Sequence, residues 1–89
     1  SNYRRNWQPG GTFFFTVNLA NRAGNDLLIR HVDLLRHAVR VTKAAHPLDI
    51  VAWVVHPDHM HAIWTLPDGD TDYALRWRAI KSIFSRSLP

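Results

Sequence analysis

An 89-residue chain with a formal charge of +4 and no cysteine is long enough for one small domain, and it can form neither disulfides nor thiolate metal sites nor a cysteine nucleophile. The longest apolar run is too short to span a bilayer and the N-terminal stretch lacks the apolar centre of a secretory signal, so a cytoplasmic location with no membrane partner is expected. Four tryptophans and a 46% hydrophobic content point to a packed core, and the basic balance in so aromatic a chain favours a polyanionic partner, nucleic acid first.

Residues 1–11 are polar and contain Pro9-Gly10-Gly11, with Tyr3, Arg4, Arg5 and Trp7 close together. They read as an N-terminal arm whose arginines suit phosphate contact and whose rings suit base stacking; an untethered basic tail is the plainer alternative. Residues 12–89 form the domain proper. Thr12 to Leu19 is the first strand, because Phe13, Phe15, Val17 and Leu19 alternate with Thr12, Phe14, Thr16 and Asn18. One face is core, and the other offers hydroxyls and the Asn18 amide to something polar or to solvent.

Asn21 to Asp26 is a loop by composition, and from about Asp26 to Ala45 the pattern turns helical, with Leu28, Val32, Leu35 and Val39 on one stripe. Leu27-Leu28-Ile29 is alternatively a brief extended piece. Arg30, Asp33, Arg36, His37, Arg40 and Lys43 fall on the opposite, solvated face, and His46-Pro47 ends the helix. Leu48 to Val55 is a strand apolar on both faces, which suggests the middle of a sheet. His56-Pro57-Asp58 is a tight turn handing the chain back antiparallel.

The next strand runs through Pro57-Asp58-His59-Met60-His61-Ala62-Ile63-Trp64-Thr65-Leu66-Pro67. Side chains alternate, so His59, His61, Ile63 and Thr65 share one face while Met60, Ala62, Trp64 and Leu66 bury the other. Two imidazoles roughly 7 Å apart at Cα, from a strand rise of about 3.3 Å per residue, are close enough to lean towards one cation. Surface histidines without a ligand are the plainer alternative. After a loop over Pro67 to Thr71, an acidic residue among Asp70, Thr71 and Asp72 caps a last helix. Its apolar stripe is Tyr73, Trp77, Ile80, Phe84 and Leu88, and its basic side, with Arg78 and Lys81, can follow a phosphate backbone. The order strand, helix, strand, strand, helix gives an α+β chain, a ferredoxin-like antiparallel sheet with helices on one face, lacking its last strand.

These residues together resemble the REP-associated tyrosine transposases, single-strand DNA transposases within the His-hydrophobic-His nuclease superfamily. The likeness rests on Tyr3-Arg4-Arg5, Gly10-Gly11-Thr12, Phe14-Phe15-Thr16-Val17-Asn18-Leu19, Ala52-Trp53-Val54-Val55, Pro57-Asp58-His59-Met60-His61, Trp64-Thr65-Leu66-Pro67, Arg76-Trp77-Arg78 and Ile80-Lys81-Ser82. The resemblance implies cleavage and rejoining of single-stranded DNA at palindromic repeats through a 5′-phosphotyrosine. His59 and His61 would be the catalytic metal ligands of a divalent ion, Mg2+ or Mn2+. Tyr3, Arg4, Arg5, Asn18, Arg78 and Lys81 would meet single-stranded or hairpin DNA. The family's tyrosine helix and the metal ligand that follows it have no match here, so the chain reads as the N-terminal part of a transposase. Tyr73, on an apolar stripe, reads as a packed ring.

Two other functions compete with cleavage: a remnant that only binds repeat-derived DNA, and a generic RNA-binding ferredoxin-like domain, which lacks a recognisable RNP pattern. A sheet without its last strand would expose an edge and an apolar face, so self-association into a homodimer is also expected.

Overall fold

A computed structural model of the chain describes residues 11–19 and 25–89 in full and the backbone of residues 2–8. The elements in order are β1 (Asn2–Gln8), β2 (Thr12–Asn18), α1 (Leu27–Arg30), α2 (Val32–Ala45), β3 (Asp49–Val55), β4 (His59–Thr65) and α3 (Tyr73–Ser87). The strands form one antiparallel sheet in the order β1-β2-β4-β3. From β2 onward this is the split βαβ arrangement of a ferredoxin-like fold, with β4 inserted between β2 and β3.

All three helices pack on one face of the sheet. Phe13, Phe15 and Val17 of β2 and Met60, Ala62 and Trp64 of β4 are buried with Leu28, Leu35, Ala38, Trp77, Ile80 and Phe84. The strict alternation of β2 and β4 produces this division: every second residue is buried, and those between are half-buried. An aromatic cluster holds the layers together. The Trp64 and Trp77 rings stack at 4.4 Å and 21°, and Phe15 lies 4.8 Å from Trp64.

Three features depart from the sequence reading. Residues 2–8 run as strand β1 rather than as a free arm, and their pairing with β2 occupies the edge expected to be open. β3 lies at the edge of the sheet, not in its middle, because β4 pairs with β2 on its other side. Its apolar residues do not alternate as expected either. A bulge at Val51 puts Ile50 in register with Trp64 and Ala52 with Ile63, so Ile50, Trp53 and Val55 turn towards the helices while Val51 and Val54 are exposed. Thirdly, the first helical stretch breaks at His31 into α1 and α2. Leu27-Leu28-Ile29 lies in a helical turn, as the helical pattern from Asp26 predicts, and not in the alternative extended piece; residues 21–24 of the loop before it lie outside the described residues.

Asp72 caps α3, accepting a hydrogen bond from the Leu75 N–H at 3.1 Å. Arg76 in the next turn is 2% exposed. Its guanidinium donates to the backbone carbonyls of His46, Pro47 and Asp72 and pairs with the Asp70 carboxylate at 3.0 Å, tying α3 to the connection between α2 and β3. Among the described residues, no helix is long and apolar enough to cross a membrane.

Candidate metal centre and nucleic-acid face

The sheet face opposite the helices carries Thr12, Phe14, Thr16 and Asn18 from β2 and His59, His61, Ile63 and Thr65 from β4. Asn18 is in register with His59, and Thr16 with His61. The two histidines project from one side of a strand hydrogen-bonded on both flanks, as their spacing predicts.

Each of the two rings is oriented through its Nδ1. His59 Nδ1 donates to Asp58 Oδ1 at 2.7 Å, which leaves the Nε2 lone pair of that ring free to bind a cation. His61 Nδ1 hydrogen-bonds with Thr16 Oγ1 at 3.1 Å, and with the hydroxyl as acceptor its Nε2 is likewise the ligating atom. The Phe14 ring lies near-parallel to that of His61, at 6.0 Å and 22°.

A third imidazole joins them. His56, His59 and His61 each offer a nitrogen, and the three nitrogens lie within 4.8 Å of one another. The reason is local. His56 N–H donates to the His59 carbonyl at 2.8 Å, closing a two-residue turn over Pro57-Asp58, so His56 and His59 face each other across the hairpin end. Backbone donors outside the hairpin hold the turn as well: Leu19 N–H bonds the Asp58 carbonyl at 2.9 Å and Leu28 N–H bonds that of Pro57 at 3.3 Å. The sequence reading placed His56 only in the turn. Carrying its own hairpin one step further, by pairing the residues that flank the turn, would have found it.

Three imidazoles can hold a metal ion. They are neutral donors, so an ion bound there keeps its full charge, and nitrogen sets suit manganese, cobalt, nickel or zinc better than magnesium, which prefers oxygen. Among the described residues, the site lies on the sheet face that the helices do not cover. An apolar cavity between α2 and β3, lined by Val32, Val39, Ile50 and Trp53 among others, is on the helix side and apart from the histidines. An open face suits a polymer laid across it better than an enclosed small molecule.

The other expected contact residues are divided between the layers. Arg4 is in backbone register with Thr16, and Tyr3 and Arg5 with Val17 and Phe15; their side chains lie outside the described residues. Arg78 is exposed on α3, in the helix layer rather than beside the histidines. Lys81, also on α3, is half-buried next to Ile80, Phe84 and Leu88, and this burial lowers its pKa from the ordinary value. The Tyr73 ring packs 5.6 Å from both Phe13 and Phe15, on the core side of the sheet.

The chain is 53% identical to a REP-associated tyrosine transposase of Escherichia coli over 87 residues, 98% of this chain and 52% of that protein. It is related to the REP-associated tyrosine transposases. A relative from Haemophilus influenzae is 38% identical over 89 residues, covering all of this chain and 50% of that protein. A solved structure of a REP-associated tyrosine transposase bound to a REP hairpin superposes with a TM-score of 0.84 at 53% identity, over 98% of this chain and 52% of that one. The chain thus spans about half the length of the transposases it matches. No protein-family model matches the sequence.

Proposed function

We propose that the chain is the cation-binding and DNA-binding part of a transposase that cleaves and rejoins single-stranded DNA at palindromic REP-type repeats. His59 and His61, side by side on the sheet face opposite the helices with each Nδ1 hydrogen-bonded, are the observation that carries this reading. Of the Mg2+ and Mn2+ that the resemblance implies, the histidines seat Mn2+ more readily, while Asp58 and Thr16 fix their rings. Such an ion, when bound, supplies positive charge to a scissile phosphate. Asn18, in register with His59, donates its amide to the strand beside that phosphate. Arg4, in register with Thr16, extends the contact along β1, while Tyr3 and Arg5, in register with the buried Val17 and Phe15, and Arg78 and Lys81 on α3 provide second contacts away from the histidines. The attacking tyrosine of a phosphotyrosyl intermediate is supplied from outside these residues, since Tyr73 packs in the aromatic core.

Binding without cleavage is the second reading, favoured by that placement of Tyr73 and by the hairpin held in the related structure. Incubating the chain with labelled REP hairpin and manganese, then running native and denaturing gels, tests both. The expected result is a mobility shift that weakens as salt rises, with no covalent adduct. A shift that ignores salt, or no shift at all, would sink the DNA-binding part; an adduct would restore a tyrosine of this chain as nucleophile.

A further inference from the structure

Resting on the proposed cation site at His59 and His61, we infer that His56 is its third protein ligand, and that the resulting three-imidazole set selects a transition cation over magnesium. The nitrogens of the three rings lie within 4.8 Å of one another, and short ring movements bring them to coordinating distance around one ion. The backbone places His56 there: its N–H bonds the His59 carbonyl, and the Pro57-Asp58 turn between them is tied to Leu19 and Leu28.

The ring arrangement states what must move. The His56 ring lies flat on that of His59, with centroids 4.3 Å apart and planes 6° apart, and both stand nearly perpendicular to His61, at 81° and 80°. In a flat stack the in-plane lone pairs run alongside each other, so ligation requires the His56 ring to rotate about its side-chain bonds, with the backbone unchanged. Because the Asp58 carboxylate is engaged by His59 Nδ1, it acts on the ring rather than on the ion. Among the described residues the clustered donors are three imidazole nitrogens. Magnesium holds oxygen ligands in near-ideal octahedral geometry, whereas manganese, cobalt, nickel and zinc accept imidazole readily. Water or a phosphate oxygen would complete the coordination of an ion held there.

Cobalt(II) titration of the 89-residue chain, followed by its visible absorption and by competition with magnesium, separates ligation from stacking. His56→Phe keeps a flat ring on His59 but has no donor, while His56→Ala removes both. Thermal unfolding of each metal-free variant verifies that it folds. We expect His56→Phe and His56→Ala both to weaken cobalt binding about 10–100-fold or more, the loss of a ligand being at least as severe as the loss of a supporting contact. The visible spectrum should change in both, and excess magnesium should fail to displace cobalt from the unaltered chain. Unaltered binding in His56→Phe would overturn the inference while leaving the pair at His59 and His61 standing. Displacement by equimolar magnesium would overturn the selectivity. Failure of the unaltered chain to take up cobalt, or full uptake by His59→Ala, would instead remove the two-histidine site and the inference with it.

Discussion

The Arg76 guanidinium serves five acceptor atoms from 2% exposure: the His46, Pro47 and Asp72 carbonyls and both oxygens of Asp70, one of which also accepts from the Asp72 N–H at 2.8 Å. Arg76→Met should therefore cost about 2–4 kcal/mol in a urea unfolding series, as the Pro47 and His46 carbonyls lose their partner. Asp70 is the other half of the corner. The hydrogen bond from Arg76, then the backbone N–H of Asp72, holds its carboxyl below the ordinary value of 3.8. A folded pKa below the unfolded one means that the stabilisation is complete above 3.8 and disappears as pH falls through the folded value. Asp70→Asn should flatten that acid limb while reducing stability at neutral pH, read by unfolding at both ends of the range. At the candidate site the expectation is the reverse. His59→Ala with His61→Ala should abolish cation uptake yet change unfolding free energy by only about 0.5 kcal/mol, since both rings project from the core-free face.

At the scale of elements, β3 carries a distinct liability. It is an edge strand, and Val51 and Val54 are 61% and 52% exposed on it. Val51→Lys should leave stability within about 0.5 kcal/mol and lower light scattering at high protein concentration, because the bulged residue is mostly exposed. This strand is also where the sequence was least readable. A continuous apolar run looks central, and no periodicity reveals that one inserted residue shifts Ile50 into phase with Trp53 and Val55. β1 was hidden for the opposite reason: Arg4, Arg5 and Asn6 carry no alternation, and the strand exists only because β2 offers an edge to pair with. By contrast, β2, β4 and the cap and stripe of α3 were legible, since each combines a clear period with a single buried face. The histidine pair was readable from spacing alone. His56 was not, because its neighbours are set by the turn rather than by its own strand.

For the whole molecule, the arrangement separates two tasks. The helix layer and the aromatic cluster around Trp64 and Trp77 supply the cohesion, and the opposite sheet face carries the proposed cation site. Trp64→Ala should cost about 3–5 kcal/mol and unfold the chain at moderate temperature, whereas changes at Thr16 or Asn18 should affect ligand binding first. Removing residues 1–8 would free the β2 edge alongside the histidines. Sedimentation of that truncated chain should then show concentration-dependent association, beyond any seen for the unshortened protein.

His59 and His61 ride on β4, a strand locked between two neighbours. In deuterated solvent its amide protons should be among the last to trade places with the solvent, while those on the outer strands go early. Whatever lands on that surface thus meets a foundation that stays shut even when the periphery breathes.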